Sequence, residues 1–345
     1  MSSPAQFKRA RNAVRLMSSS LVRPYYLDDE RRMPLVIEPS STDLDLVSWA
    51  SDRRQFIADE LSRHGALLLR GFSIRSVQQF EQFIDVTSGG ALPYSERSSP
   101  RSQVSGNIFT STDYPASEKI FLHNEQSYNL QFPLKIYFFC LLPAEVGGET
   151  PVADTRQLLA SIRPDIRRRF SEQGYLYVRN FGNGFGLSWQ ETFQTSSKTE
   201  VEQYCRQHQI GCQWLAGNRL RTSQRRDAIA THPRTGEQAW FNHATFFHVS
   251  TLEPVIRERV LAEFPEVALP NNTYYGDGSR IEAETMDHLQ GVYLQHKIPF
   301  TWQQFDVLML DNMLAAHGRE AFKGQRKVVT GMADPNLWKD CKAKD

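Results

Sequence analysis

His123 and Glu125 stand two residues apart at the end of an apolar run, Ile120 to His123, and a second histidine, His317, lies far downstream. In an extended strand, side chains two apart point to the same face, so an imidazole and a carboxylate at 123 and 125 can grip one ion. His317 follows another apolar run, Val307 to Leu310, and the turn-like pair Asp311-Asn312. Two imidazoles and one carboxylate on one face of a metal leave the opposite positions open for a co-substrate and oxygen, the arrangement of non-haem Fe(II) oxygenases. A zinc hydrolase uses similar ligands, so these three residues do not by themselves choose the metal. Gly324-Gln325-Arg326-Lys327 then precedes Val328-Val329-Thr330. An arginine leaving a turn beside the strand that carries His317 can clamp a carboxylate with two parallel N–H bonds. Thr150, after the Gly147-Gly148 turn, can add a hydroxyl donor to the same group.

Residues so distant meet only if strands from separate parts of the chain pair. Ile120 to His123, Ile136 to Leu142, Tyr175 to Arg179, Ala239 to Phe247, Val307 to Leu310 and Val328 to Met332 read as strands, with Ile136 to Leu142 apolar on both faces and therefore buried. A short strand between Gly65 and Phe72 belongs with them. Helical spacing of apolar residues marks Asp43 to Arg63, ended by Gly65, and Val77 to Val86. Further helices are expected at Asp154 to Phe170, interrupted at Pro164, and at Lys198 to His208, Glu253 to Phe264 and Ala283 to His296. Helices framing a β-rich centre suit an α+β sandwich or jelly roll better than a βαβ sheet. The stretch Ser88 to Lys119 is rich in Ser, Thr, Pro and Gly and too long for a plain connector. It leads into the first candidate metal strand and carries Tyr94, Glu96, Arg97, Arg101 and a Thr110–Asp113 turn, which makes it the candidate lid.

The 345 residues carry 40 Lys and Arg against 39 Asp and Glu, a net charge of +1, so no global field draws nucleic acid or a membrane surface. That balance points to a small-molecule substrate. Four cysteines without CxxC spacing read as reduced thiols of a cytoplasmic protein. No apolar run approaches the ~20 residues that span a bilayer. Residues 1–33 form a basic N-terminal segment, with Lys8, Arg9, Arg11, Arg15 and Arg23 and no acid before Asp28. An organelle transit peptide shares that composition, and a frayed amphipathic segment is the simpler reading. Residues 34–345 are expected to form one domain, because a single site draws on ligands from both ends of it.

The strings His123-Asn124-Glu125-Gln126-Ser127-Tyr128, Pro133, Tyr137-Phe138-Phe139-Cys140, Pro143-Ala144, Gly147-Gly148-Glu149-Thr150-Pro151 and Asp154-Thr155-Arg156 resemble the taurine dioxygenase (TauD/TfdA) superfamily of Fe(II)- and 2-oxoglutarate-dependent oxygenases. The resemblance is strongest to its clavaminate-synthase-like and SyrP-like branch, in which the metal carboxylate is Glu. It extends to Leu69-Arg70-Gly71-Phe72, Tyr274-Tyr275-Gly276-Asp277-Gly278, Trp302, Asp306-Val307-Leu308, Asp311-Asn312-Met313 and His317-Gly318-Arg319, from about Pro34 to Met332. It implies a double-stranded β-helix core with flanking helices and long insertions. It implies Fe(II) held by His123, Glu125 and His317, with 2-oxoglutarate held by Arg326 and Thr150 and O2 as the oxidant. Glu125 argues against the related halogenases, which carry a small residue there. The expected reaction is hydroxylation, or a related oxidation, of an unactivated C–H in an amino acid or amino-acid-derived molecule of secondary metabolism, with succinate and CO2 as co-products. The substrate is either free or tethered to a carrier protein. The competing readings are a zinc hydrolase and a catalytically silent regulator on the same fold. Phe305 departs from the family pattern, which usually has Gly before the Asp-Val. Arg319 either meets a ligand or braces the sheet. His243 and His248 are read as packed residues on a core strand, and His64, His208, His232, His288 and His296 receive no role.

Overall fold

The computed structural model describes residues 21–93, 101–111 and 114–342. The first twenty residues of the basic N-terminal segment, and Tyr94, Glu96, Arg97, Thr112 and Asp113 of the candidate lid, lie outside the described residues.

Strand Gln131–Leu142 lies within an eight-stranded sheet whose spatial order is Val22–Tyr26, Leu35–Pro39, Ala66–Leu69, Val307–Asp311, Gln131–Leu142, Lys327–Leu337, Ile108–Thr110 and Gln103–Ser105. Its neighbours come from the far end of the chain. Val307 pairs with Phe139 on one side, and Thr330 with Phe138 on the other. The alternation of a strand then sorts side chains onto two faces. Tyr137 and Phe139, with Val307, Met309 and Val329, pack against Trp49, Ile57, Leu61, Phe80, Phe83 and Ile84 from helices Leu46–Asp52, Arg54–His64 and Val77–Ser88. Ile136, Phe138 and Cys140, with Leu308, Leu310 and Val328, face Val152 and Ala315 on the other side. Covering both faces explains why this strand is apolar at nearly every position, and burying each large side chain contributes ~1.5–3 kcal/mol.

Val152 and Ala315 belong to a three-stranded sheet ordered Ile120–His123, Ala315–Arg319, Val152–Asp154. The two facing sheets form the double-stranded β-helix. A further four-stranded sheet, ordered Gly211–Leu215, Arg219–Arg226, Tyr175–Phe181, Asn271–Tyr275, stands beside it. Tyr175, Tyr177 and Tyr275 of that sheet share a core with Tyr128, Trp240 and Phe247. The Leu69-Arg70-Gly71-Phe72 string works for the fold. Arg70 is buried and its Nε and Nη2 donate to Asp306, with Nη2 at 2.7 Å from Oδ2. A pair so shielded is held by geometry as well as charge. Phe305, just before Asp306, has φ 71, the left-handed conformation that glycine adopts freely. This chain bears that conformation on an aromatic residue, whose ring packs near Phe139 and under the Arg75 guanidinium.

Several element boundaries differ from the sequence reading. The sheet begins before residue 34, because Val22–Tyr26, inside the segment read as N-terminal, pairs antiparallel with Leu35–Pro39. The Asp43–Arg63 helix is two helices broken at Arg53, which leaves helical geometry at ψ 22. Gly65 does close the second, with φ 71. Asp154–Phe170 divides at Pro164, and Asp154 caps its first half by accepting from Arg156 N–H. The 88–119 stretch is not all loop: Gln103–Ser105 and Ile108–Thr110 form a hairpin added to the large sheet. The strand read as Ala239 to Phe247 ends at Trp240, and the chain then turns back so that Phe247 N–H donates to His243 O.

Candidate active site

The three-stranded sheet positions the two histidines. Its register sets His317 directly opposite His123, with ring centroids 4.5 Å apart. Gly318 makes the close approach possible, since a Cβ there would lie 2.6 Å from Ile120 O. Glu125 reaches the pair by a route the sequence reading did not foresee. Strand Ile120–His123 ends at the histidine, and Glu125 opens a turn. Asn312 holds that turn: its Oδ1 accepts from Glu125 N–H at 2.8 Å, and its Nδ2 donates to Glu125 O and Pro133 O, each at 2.8 Å. Asn124 Nδ2 donates back to Asn312 O at 2.6 Å. Asp311 secures the Asn312 segment by accepting from Met313 and Leu314 N–H. His232, assigned no role from sequence, is buried against Asp311 Oδ2 at 2.9 Å. Its Nδ1 accepts from Arg234 and Thr235 N–H, so Nε2 carries the proton that Asp311 receives.

Candidate ligand atoms of His123, Glu125 and His317 all lie within 4.8 Å of one another. His123 Nδ1 sits 2.9 Å from Phe121 O, which places its proton there and turns the lone pair of Nε2 elsewhere. His317 Nδ1 is buried and has no hydrogen-bond partner among the described residues. Burial holds both imidazoles below the ordinary histidine range, and for His317 the nearby His123 adds to the effect. Two neutral imidazoles and a carboxylate are the donor set that suits a divalent cation. Phe246 and Phe138 wall the pair, at 4.5 Å from the His123 ring and 5.2 Å from the His317 ring. His243 lies in the turn after Trp240, not on a strand. It packs 5.9 Å from His123 and bonds Ser127 Oγ through Nδ1 at 2.6 Å. His248 bonds Ser250 Oγ and accepts from Ser250 N–H through Nδ1.

Arg326 and Thr150 meet on the same side. Arg326 Nε donates to Gly148 O at 2.9 Å, and its Nη2 to Thr150 Oγ1 at 3.3 Å. Gly148 has φ 73, and a Cβ there would come within 3.0 Å of Arg326 Cδ, so glycine leaves the guanidinium its channel. Trp302 Nε1–H also donates to Thr150 Oγ1, at 3.0 Å. With both lone pairs of its oxygen engaged, the Thr150 hydroxyl must direct its own proton elsewhere, as a donor. Burial, then the charge of Arg319, lowers Arg326 to about 10. Arg319 braces the approach to strand Ile120–His123 by donating to Tyr114 O, Pro115 O and Glu118 O.

His123, Thr150, His317 and Arg326 line one small cavity of about 30 Å³, together with Arg101, Ser111, Phe138 and Arg319. A larger hollow of about 790 Å³ lies at the Val22–Tyr26 edge, lined by Tyr26, Glu60, Arg156 and His296 among others. It touches none of the clustered residues, and chemistry rather than size selects the smaller one. Arg101 is the residue whose place the sequence left least defined. It precedes the Gln103–Ser105 strand, its side chain is 5% exposed, and Nη2 donates to Glu125 Oε2 at 2.6 Å. Arg101 was visible as a polar residue of the candidate lid, but nothing local tied it to Glu125.

The fold and site together define a jelly-roll protein with a two-histidine, one-carboxylate cluster beside a threonine–arginine pair. The profile described as "Taurine catabolism dioxygenase TauD, TfdA family" matches residues 30–332, and the chain belongs to that family. It is 42% identical over 279 residues, 81% of this chain and 85% of the relative, to the dapdiamide synthesis protein DdaC of Enterobacter agglomerans. It is 25% identical over 322 residues, 88% and 94% of the two chains, to a clavaminate synthase-like protein of Arabidopsis thaliana. Among solved structures, PvcB of Pseudomonas aeruginosa superposes with a TM-score of 0.57 at 16% identity, covering 92% of this chain and 94% of PvcB. PvcB is described as an Fe, alpha-ketoglutarate dependent oxygenase from an isonitrile synthetic pathway. That likeness bears on the fold. No helix among the described residues is long and apolar enough to cross a membrane.

Proposed function

We propose that this chain is a cytoplasmic Fe(II)- and 2-oxoglutarate-dependent dioxygenase that hydroxylates an unactivated C–H bond of an amino acid or amino-acid-derived small molecule in secondary metabolism. The observation that carries the reading is the meeting, in one cavity, of His123 and His317, which cluster with Glu125, with Arg326 and Thr150. Family membership and the 42% identity to a dapdiamide synthesis protein support it.

His123, Glu125 and His317 would hold the iron as neutral imidazoles and a carboxylate. Arg326 and Thr150 would bind the distal carboxylate of 2-oxoglutarate, the guanidinium supplying charge and paired N–H groups, the hydroxyl a third donor. Bound there, iron with 2-oxoglutarate and O2 would supply the oxidising power for C–H oxidation, with succinate and CO2 as the co-products expected. The chain's own part is placement and exclusion of water. Phe138 and Phe246 keep the histidine faces dry, and the Asn312 network fixes the carboxylate's approach. Residues 34–345 act as one oxygenase domain, to which Val22–Tyr26 adds an edge strand.

The test is incubation with Fe(II), 2-oxoglutarate, oxygen and a panel of amino acids and amino-acid derivatives, with succinate followed by mass spectrometry. Substrate-stimulated succinate is expected. Its absence across the free and carrier-loaded panel overturns the substrate reading. Adding 2-oxoglutarate anaerobically to the Fe(II) protein tests the cofactors separately, since an oxygenase of this kind develops a charge-transfer band and a zinc hydrolase or silent regulator does not.

A further inference from the structure

The turn at residues 312–314 joins strand Val307–Asp311 to strand Ala315–Arg319 and serves two of the three clustered ligands. Its Asn312 pins the backbone of Glu125, and His317 stands three residues beyond its end. Groups from elsewhere in the fold hold the turn in place. Thr155 Oγ1 donates to Met313 O and Thr155 N–H to Leu314 O, while Asp311 N–H donates to Gly65 O at the entrance. The Asp311 carboxylate closes the turn with Oδ1, which accepts from Met313 N–H at 3.0 Å and from Leu314 N–H at 3.2 Å. That carboxylate is 5% exposed, and its second oxygen lies 2.9 Å from His232 Nε2.

His232 is set up to donate there. It begins the loop of the hairpin formed by Ile229–Thr231 and Gln238–Trp240, and its side chain is fully buried. His232 N–H donates to Glu237 O and Gly236 N–H to His232 O, which closes the loop. Arg234 and Thr235 N–H both donate to Nδ1, at 3.3 and 3.1 Å. With Nδ1 accepting, the ring hydrogen sits on Nε2 and is aimed at Asp311. A carboxylate oxygen stripped of water and denied a donor is costly, and turning toward another partner relieves it. For Asp311 that means releasing Met313 and Leu314 N–H, and with them Asn312 and the start of the His317 strand.

We propose that His232 is a positioning residue of the metal cluster: through Asp311 it fixes the 312–314 turn, and so the placement of Glu125 and His317 relative to each other. This rests on the reading of His123, Glu125 and His317 as a divalent-metal site. The support runs from a surface hairpin, through one buried bond, to two ligands on different strands.

The experiment measures the Mn(II) affinity of the full chain, by the electron paramagnetic resonance of free Mn(II), in wild type, H232Q, H232N and D311N. The amide nitrogen of glutamine reaches where Nε2 stands, and the amide oxygen of asparagine where Nδ1 stands. H232Q therefore keeps the donor to Asp311 and gives up the acceptor for Arg234 and Thr235 N–H, which water can replace because residues 233–238 are exposed. H232N keeps that acceptor and gives up the donor to Asp311 in the dry interior. H232Q is expected to bind Mn(II) nearly as the wild type does, and H232N more weakly by about 10-fold or more, the size of losing a support that lies behind a metal ligand. D311N keeps an oxygen for Met313 and Leu314 N–H but sets an amide N–H against Nε2–H, so it should fall with H232N. In the H232N/D311N double variant the two losses should not add, since both break one bond.

A role confined to the hairpin predicts the reverse order, with H232N sound and H232Q impaired, and that order overturns the proposal. So does H232N or D311N that binds Mn(II) as the wild type does. Thermal melts of the metal-free proteins check folding, and if H232N does not fold, D311N against H232Q decides. The anaerobic charge-transfer band with Fe(II) and 2-oxoglutarate is read in parallel on the wild type. If the Mn(II) order holds and the wild type gives no band, the oxygenase reading falls and the positioning role stands. If the band forms and the order fails, the positioning role falls and the oxygenase reading stands. If the wild type binds no Mn(II), the metal cluster and the positioning role fall together.

Discussion

Asn312→Ala removes the side chain that joins Glu125 to the core. Asn312 is fully buried and makes three bonds of 2.8 Å, one accepted from Glu125 N–H and two donated to the carbonyls of Glu125 and Pro133. Alanine leaves one backbone donor and two backbone acceptors unmatched in a dry interior. At ~1–3 kcal/mol for each unsatisfied group, with carbonyls at the low end and the costs overlapping, the expected loss is about 4 kcal/mol of stability. The consequence for the site is separate. Once its backbone is unpinned, Glu125 no longer presents a fixed oxygen to the histidine pair, and second-sphere losses of this type weaken metal affinity by about 10–100-fold. Urea unfolding of the metal-free protein reads the first effect, and Mn(II) titration followed by the electron paramagnetic resonance of free Mn(II) reads the second. Asn312→Asp keeps the acceptor for Glu125 N–H and loses both donors, so it should fall between wild type and alanine in stability. A loss below about 1 kcal/mol in Asn312→Ala with unchanged Mn(II) affinity would refute the argument that this network positions the carboxylate.

Glu125→Ala and His123→Ala should each abolish turnover by loss of iron, which metal analysis of the purified variants detects; full activity with full iron content in either would break the ligand assignment. Arg326→Gln should raise the 2-oxoglutarate dissociation constant by about 100-fold, read from the charge-transfer titration, and Arg326→Lys should restore it only in part because an ammonium cannot form the paired contact. His248 gives a pH prediction. Burial lowers it to about 4, so the unfolded chain takes up its proton near pH 6.5 while the folded one resists until about pH 4. The unfolded state binds more protons in that window, and stability present above pH 6.5 is lost as pH falls through it. Allowing for partial exposure, the contribution is about 2 kcal/mol. His248→Gln should flatten the dependence of urea midpoint on pH between 6.5 and 4; an unchanged slope would assign the acid sensitivity elsewhere.

Much of the site could be read locally because its chemistry is carried by residue types that have few substitutes. A pair of histidines, a glutamate two residues after the first, and an arginine beyond the second are informative wherever they fall. The buried strand Gln131–Leu142 could be read because it is apolar at nearly every position, which only burial on two faces requires. The Pro164 break and the Gly65 helix end follow from the conformational limits of those two residues. The hairpin within residues 88–119 could not be read this way. Its strands are three residues each, and their partner, Lys327–Leu337, lies more than two hundred positions away.

The same division runs through the active site. The sequence by itself determined which atoms are available: two imidazoles, a carboxylate, a hydroxyl and a guanidinium, in a chain whose net charge of +1 offers no long-range field. Tertiary structure decided where they meet and what else joins them. The register that sets His317 opposite His123 is a pairing between distant strands, and one residue of slip would turn the imidazole to the other face. Asn312, Trp302, His232 and Arg101 gain their parts only there, since a hydrogen bond between residues 125 and 312, or 150 and 302, leaves no periodic trace in the chain. Their common task is to satisfy or direct polar groups in a place without water, and the need for each appears only when folding has removed the water.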